Sequence, residues 1–523
     1  MTSTFNPRKL EFSCNLTWDL ICEGRTKGVF QLESNLGRSW AKRARPRNME
    51  ELAALISIIR PGTLKAIQDG KSMTQHYVDR KNGTDEITYL HESLKSILQS
   101  TQGVLVYQEQ AMKIAQQLAG FDLQEADSLR KAIGKKKADL MSEIKTRFIK
   151  GAEDEAIVSK EAAEEIFSWI EKSSRYLFNK SHAISYAICA YWSAYAKAHF
   201  PLEFYKSYLY HSEGKQDSQQ EVRELISDAK VNNIGVFPPS FQNPCDKFSI
   251  HEEHINFGFQ DVKYIGANQI VKINKAMEDC SDALSRTVGE LTWYEFLIHI
   301  TDKIGKTIST ALISVGAVGY TGVARAKMLY ELETWRSLTM KEKDWVRENC
   351  RDCKDLNECL IKLMPVKKEG GGTSNKNRSD VVDNLNRLIE KPPHSLKDTP
   401  HFVASKEEEY LGVSITYCKI DACDATSSDT MCKEILEGKK GKMILAVEIK
   451  RATEWKIKKG NSAGKKMAFL TIEDRTCELD DVVIFPESWE KYASLLTENN
   501  TVIIKGEAQQ NKDGFVVDKV YQI

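Results

Sequence analysis

A chain of 523 residues, 41% hydrophobic and 28% charged, has the composition of a soluble globular protein rather than a disordered one. Its 74 Lys and Arg balance 74 Asp and Glu, which argues against a uniformly basic nucleic-acid binder but leaves local patches open. No apolar run approaches the ~20 residues needed to span a bilayer, and the N-terminal MTSTFNPRKLEFSC has no apolar stretch like that of a signal peptide; a cytoplasmic location and no membrane partner are expected.

In chain order, residues from about Glu23 to His211 read as mainly helical. Val104, Tyr107, Ala111, Ile114, Ala115 and Leu118 fall on one face at helical spacing. Gly120 then punctuates the chain, Asp122 and Glu125 have the spacing of a capping box, and Gly134 sits where the next helix would end. That places Arg130 and Lys131 in a last helical turn, with Lys135, Lys136 and Lys137 just beyond. A second block, from about Glu221 to Met364, contains the turns Tyr264-Ile265-Gly266 and Val315-Gly316-Ala317. Such hydrophobic-Gly-hydrophobic turns between helices let a phosphate approach the backbone amides. Pro365 to Pro400, with Gly370-Gly371-Gly372 and Pro392-Pro393, reads as a flexible linker with one short helix.

Beyond the linker the period changes from helical to alternating. Met443–Lys450, Met467–Ile472, Asp481–Phe485, Thr501–Gly506 and Phe515–Gln522 are strand candidates, with a helix over Glu487–Leu496. Five strands with that helix placement predict an OB-fold, a small barrel that commonly holds oligonucleotides. The loop between its first two strands carries Trp455, Lys456, Lys458, Lys459, Lys465 and Lys466, a base-stacking ring among cations that can follow a phosphate backbone.

Three basic runs stand out against the neutral whole. Arg38 to Arg47 holds Arg38, Lys42, Arg43, Arg45 and Arg47 without an acid; Arg130 to Lys150 sets eight basic residues against Asp139 and Glu143; Lys450 to Lys466 sets seven against Glu454. Each lies beside one of the motifs described here, which favours phosphate contact over a merely solvated face. The 12 cysteines form no regular framework and are expected to be reduced structural thiols. Cys350, Cys353 and Cys359 form a local cluster, but a single C-x-x-C lacks a second pair at zinc-ribbon spacing, so no metal site is expected there.

Gly28-Val29-Phe30-Gln31-Leu32-Glu33-Ser34, Arg60-Pro61-Gly62, Tyr107-Gln108-Glu109-Gln110, Glu125-Ala126-Asp127, Gly134-Lys135-Lys136 and Phe178-Asn179-Lys180-Ser181-His182-Ala183 resemble, in order, the fingers of the bacterial DNA polymerase III alpha subunit. The likeness continues through Pro238-Pro239, Phe257-Gly258 and Ile265-Gly266, and resumes at Glu409 to Val413 and at Met467 to Asp474. It implies a multidomain chain: mainly α-helical fingers over 1–212, a duplex-binding region with helix-hairpin-helix over 213–364, the linker over 365–400, a connecting segment over 401–440, and a C-terminal five-stranded β-barrel of the OB type over 441–523.

The departures matter as much. In that family a PHP domain and the palm precede the fingers, whereas here Met1 stands just before the first motif, and no Asp-x-Asp pair occurs in the sequence. Asn35-Leu36-Gly37 stands where Gly-Met is usual, and Ser414-Ile415-Thr416-Tyr417 lacks the expected Gly-His-Pro, as in a divergent mobile-element or phage relative. The resemblance therefore implies part of a split DNA-directed DNA polymerase whose catalytic palm acids come from a separate chain, with a palm-less DNA-binding accessory protein or a remnant as the alternative. No catalytic residue and no cofactor is expected in this chain itself, and Mg2+ is expected in the assembled enzyme. Nucleotide binding falls to Arg130, Lys131, Lys135, Lys136, Asn179, Lys180, Ser181 and His182. DNA binding falls to Arg38, Lys42, Arg43, Arg60, Gln108, Gln110, Lys137, Gly266, Gly316 and the OB loop. The implied partners are the palm-bearing chain, primer-template, single-stranded DNA and dNTP; a sliding clamp is a further candidate, although no clear clamp-binding peptide is found.

Overall fold

The computed structural model describes residues 6–135, 138–368, 376–458, 460, 462–508 and 514–523. They form two compact units, Met1–Phe204 and Tyr205–Ile523.

The first unit is helical around two cores. In one, α1 (Asn35–Ala44) and α2 (Met49–Ile58) pack with the long helix Lys180–His199. That long helix turns a stripe of Ala183, Ala187, Ala190 and Ala194 inward, and its small side chains let Leu52 and Leu55 of α2 approach closely. The other core holds α3 (Gln108–Ala119), α4 (Leu123–Lys135), α5 (Ala138–Glu155) and α6 (Lys160–Ser173), and Lys180–His199 follows as α7. The predicted punctuation is present. Gly120 ends α3 at φ +59°, and Asp122 and Glu125 exchange side-chain and backbone hydrogen bonds at 2.7 and 3.0 Å. Helix α4 runs one residue past Gly134, so Lys135 is helical.

The second unit begins with α8 (Ser218–Val231) and a small three-stranded sheet (Gly235–Phe237, Ser249–His251, His254–Asn256). Helices α9 (Ala267–Leu284), α10 (Lys306–Ser314), α11 (Arg325–Arg336), α12 (Met340–Asn349) and α13 (Leu356–Lys368) follow. The segment over 365–400, expected to be a flexible linker with one short helix, is more ordered than that over part of its length. The segment contains a fifteen-residue helix, α14 (Lys376–Glu390), that packs against α13 and buries Val382. Asp398 caps α11, accepting from the amides of Arg325 and Ala326 at 2.9 Å each. The Gly and Pro residues at both ends of the segment dominate its composition and hide the helical spacing of Val382, Leu385 and Ile389.

Helix α15 (Pro400–Leu411) leads into the barrel: β1 (Gly441–Lys456), β2 (Lys466–Glu473), β3 (Glu478–Ile484), β4 (Thr501–Ala508) and β5 (Phe515–Gln522), closed in the order β5-β3-β2-β1-β4. Strand β5 runs parallel to β3 and antiparallel to β4, which closes the sheet on itself and removes its edges. A short helix, Pro486–Tyr492, lies between β3 and β4.

A buried charge network ties α15 to the barrel wall. Lys419 bonds Glu408 and Glu448 at 2.6 and 2.8 Å, and Lys450 reaches Glu408, Glu448 and Glu473. Burial opposes the charge on Lys450, but the three carboxylates outweigh it and hold its ammonium above the usual range. Beside this network, burial and repulsion from Glu473 and Asp480 push Glu478 up to about 7. Its folded value thus lies above the unfolded ~4.3. The folded state holds this proton more tightly, so the associated stability is present at low pH and is lost as pH rises through about 7. Glu478→Gln, neutral throughout, should remove that loss, and its melting temperature should exceed wild type by a margin that grows with pH. Parallel pH profiles for the two proteins would refute this assignment.

Candidate nucleotide and nucleic-acid interfaces

In the first unit, Tyr107 and Phe178 pair as an isolated parallel bridge. The Gln108 amide donates to the Phe178 carbonyl and the Phe178 amide to the Val106 carbonyl, both at 2.9 Å. Tyr107 directly precedes α3 and Phe178 lies two residues before α7, so the bridge sets the N-termini of two long helices side by side. Both present the positive end of the helix dipole, which favours an anion, although the amides of Gln108, Lys180 and His182 already have acceptors within the protein. Asn179 begins α7 as its N-cap, accepting from the His182 amide at 2.9 Å. His182 is exposed and lies against the Tyr186 ring at 4.0 Å, and Ser181 is exposed beside it.

Other predicted residues converge on this edge. The Arg60 guanidinium is exposed and lies 3.8 Å over the Phe178 ring. A Cβ built on Gly134 would sit 4.0 Å from the Gln108 side-chain nitrogen, which places the last turn of α4 against the start of α3. Arg130 and Lys131 lie in that region and pair with Asp127 at 2.7 and 2.9 Å. These cations hold the Asp127 carboxyl below its usual range, Lys131 most strongly. The Lys180 ammonium pairs with Glu50 and its amide with Glu109, each at 2.9 Å. The side chain of Lys135, and Lys136 and Lys137 altogether, lie outside the described residues.

Ion pairs at this level of exposure contribute ~0–1 kcal/mol, whereas a hydrogen bond to a charged group contributes ~1.5–3 kcal/mol. A phosphate can therefore displace Glu50 or Asp127 from its cation at little cost. Glu50, Glu109 and the Phe178 ring are not legible as site components in the sequence because their partners are distant along the chain. Nor is a cleft of 980 Å3 beside Arg60, lined by Pro61, Gly62, Lys65, Trp169, Lys172 and Arg175 among others.

Two expected DNA contacts are corrected. Gln110 is buried, and its carbonyl accepts from the amides of Val106 and Tyr107 while its amide donates to Ile97 and Thr101. It shapes the start of α3 and has no group left for DNA. Gly316, at φ +87°, is the second: a Cβ there would lie 2.6 Å from the buried Arg325 guanidinium. Its amide is bonded to Ile313, so the turn is filled from within rather than opened toward phosphate. Gly266 differs. It is exposed at the start of α9, and its amide donates to the Gln269 side chain at 3.1 Å, so the turn is accessible but a phosphate would have to displace that side chain to take the amide. A 3-10 turn over Phe259–Asp261, rather than a full helix, precedes it.

The Arg38 patch lies on α1. Arg38 reaches the Gly24 carbonyl, Arg43 stacks 3.9 Å over Trp40 and bonds Gln75, and Lys42 covers Gly24. Lys42 and Arg43 stand in the last turn of α1, where a cation also complements the dipole.

On the barrel, β1 and β2 extend as a hairpin. Trp455 is 50% exposed with the Lys458 ammonium 5.7 Å from its ring. Register pairs Trp455 with Met467 and Thr453 with Phe469, so Trp455 and Phe469 share one outward face as diagonal neighbours. Phe469, 43% exposed, is a second ring that the apolar run of its strand conceals in the sequence. Lys466 pairs with Glu454 at 2.7 Å, Lys456 and Lys465 are exposed, and Lys459 lies outside the described residues.

This division, a helical basic unit and a barrel with exposed rings, agrees with comparisons to known proteins. A family model described as the bacterial DNA polymerase III alpha subunit finger domain matches residues 2–156, and one described as an OB-fold nucleic acid binding domain matches residues 444–523. Residues 2–156 are thus similar to a polymerase finger domain and residues 444–523 to an OB-fold. DNA polymerase III subunit alpha of Aquifex aeolicus is 30% identical over 523 residues, covering 96% of this chain and 38% of the relative. The subunits of Bacillus subtilis and Escherichia coli K12 are each 28% identical, covering 98% and 94% of this chain and 42% and 40% of their own lengths. The chain is similar along nearly its whole length to the bacterial DNA polymerase III alpha subunit, in the portion running from fingers to OB domain. It spans about two fifths of the length of those relatives. Among the described residues no helix is long and apolar enough to cross a membrane.

Proposed function

We propose that this portion grips the incoming deoxynucleoside triphosphate and the primer-template for a DNA-directed DNA polymerase in replication, while the palm acids come from outside these 523 residues, in the split reading from a separate chain. The observation that carries this reading is the juxtaposed pair of helix N-termini at α3 and α7, edged by Arg60, Lys180 and the end of α4. Phosphoryl oxygens that gain charge as the bond breaks are stabilised by donors already in place, and this edge presents amide dipoles and cations together.

The acids at this edge do not fit a catalytic Mg2+ site. Glu50, Glu109 and Asp127 each hold a cation or an amide, and among the described residues no three acids converge to hold a metal ion. The role of this edge is thus positioning and charge stabilisation. Fingers, barrel and palm would act on one primer-template, with the OB face taking single-stranded DNA.

Primer extension by the chain mixed with a palm-bearing alpha chain tests the reading. Arg60→Ala and Lys180→Ala should each raise the KM for dNTP by about 10- to 100-fold, as expected for the removal of a charge-assisted hydrogen bond. Lys135→Ala with Lys136→Ala should act in the same direction. Unchanged kinetics in all of these would discard the nucleotide assignment. DNA binding without extension in any mixture would favour the palm-less accessory protein, for which the exposed Trp455 and Phe469 suffice.

A further inference from the structure

We propose that Cys350, Cys353 and Cys359 form a structural zinc site that fastens the junction between α12 and α13. The inference is independent of the polymerase reading. The three sulfurs lie within 4.8 Å of one another, and all three residues are buried. A tetrahedral ion with Zn–S bonds of ~2.3 Å holds its sulfurs roughly 3.8 Å apart, so small rotations about χ1 complete the geometry.

Local structure explains why three thiols from one short segment meet. Cys350 is the C-cap of α12, and the Cys353 amide donates to the Cys350 carbonyl at 3.1 Å, a tight turn that brings the C-x-x-C pair round on itself. Asp355 then starts α13: its side chain accepts from the Glu358 amide at 2.9 Å, while Glu358 accepts from the Lys354 amide at 2.8 Å. This reciprocal cap fixes the first turn of α13, which carries Cys359 back over the pair. A search for a second C-x-x-C misses the site because its third ligand stands alone on the next helix.

The surroundings suit the charge. Three thiolates and one Zn2+ leave a net charge of −1, and the Lys362 ammonium, held by both Asp352 oxygens at 2.8 and 2.9 Å, also faces the Cys353 sulfur. The Tyr294 hydroxyl donates to the Cys350 carbonyl at 3.1 Å and accepts from the Cys359 thiol at 2.8 Å; with Cys359 bound as thiolate, the hydroxyl would turn its proton to that sulfur and become an outer partner of the ligand. No fourth protein ligand joins the three among the described residues, so the fourth position falls to a solvent molecule, which sets this site apart from a fully protein-ligated structural zinc. Each thiol gives up its proton to solvent as it binds, so uptake of zinc releases protons.

The full chain, purified in reducing buffer from zinc-supplemented medium, should carry one zinc per chain. The metal-free chain titrated with Co2+ should develop thiolate-to-cobalt charge-transfer absorption that saturates at one equivalent and is displaced by Zn2+. Cys359→Ser should lower the bound zinc at least tenfold, whereas Cys189→Ser, at an exposed cysteine elsewhere, should leave it unchanged. Because a core substitution also risks the fold, the Co2+ titration of the wild-type chain is decisive. Absence of both zinc and a charge-transfer band in the folded wild-type chain would overturn the site. So would recovery of Cys350 and Cys353 as a disulfide, seen as a mass deficit of two hydrogen atoms.

Discussion

Glu407→Ala should destabilise the second unit by about 3–5 kcal/mol, the cost of leaving a buried charge without its partner. Glu407 is fully buried on α15, and one of its oxygens takes the Arg325 guanidinium at 2.9 Å. The other accepts from the amides of Ile415 and Thr416 at 2.6 and 2.8 Å, and the Thr416 hydroxyl also bonds this carboxylate. Removing the carboxylate therefore leaves a buried cation, two backbone amides and a hydroxyl unsatisfied at once. Arg325 also donates to the Ser314 carbonyl, so α10, α11, α15 and the segment after Val413 meet at this one side chain. Replacing both partners with apolar residues, Arg325→Met with Glu407→Leu, should cost less than Glu407→Ala alone, because no charge is then stranded and only the amides of Ile415 and Thr416 and the Thr416 hydroxyl lose their acceptor. Denaturant unfolding of the single and double variants measures this. A Glu407→Ala cost below ~1 kcal/mol would show that water reaches the pair.

This junction also shows what the sequence does and does not disclose. The segment after Val413 is conspicuous only for lacking Gly-His-Pro, yet its Thr416 closes the Glu407 network. Ser-Ile-Thr-Tyr carries no local signal of that role, since the partners lie 91 and 9 residues away. Local signals are legible: the Asp122 and Glu125 cap, the Gly120 stop and all five barrel strands follow from spacing and period. Gly316 is legible as a turn but not as a filled one, because φ can be inferred from a glycine whereas the guanidinium occupying its missing Cβ cannot. Gln110 misleads in a similar way. A glutamine beside a basic site looks like a DNA contact until its four hydrogen bonds to the nearby backbone and Thr101 are seen. Helix α14 is hidden because Gly and Pro at its borders outweigh three spaced apolar residues. At the candidate site, Arg60, Asn179 and Lys180 are found through motif resemblance, while the bridge that unites them is a pairing across 71 residues that periodicity does not encode.

Trp455→Ala should weaken single-stranded DNA binding by about 1–3 kcal/mol, and adding Phe469→Ala should cost a similar increment again, as expected when two rings stack two bases. Both rings stand on one outward face of the β1–β2 hairpin, held at fixed register by the ladder, so neither has to be ordered on binding. The rings and the lysines beside them should separate in their salt dependence. Stacking is insensitive to counterions, so the Trp455→Ala and Phe469→Ala variants should keep the wild-type slope of log K against log salt. Lys456→Ala, Lys458→Ala and Lys465→Ala each take one cation from the phosphate backbone, and each should lower the magnitude of that slope by about 0.7. Lys466 should matter less, since its ammonium already pairs with Glu454 in the free chain. A Trp455→Ala variant with full affinity would make the ring a hairpin anchor and would shift single-strand binding to the lysines alone. A shallower slope instead would mean that the ring serves to place Lys458, whose ammonium sits 5.7 Å from it. Titrations of oligonucleotide against the full chain at several salt concentrations distinguish these outcomes, because affinity and slope report different parts of one surface.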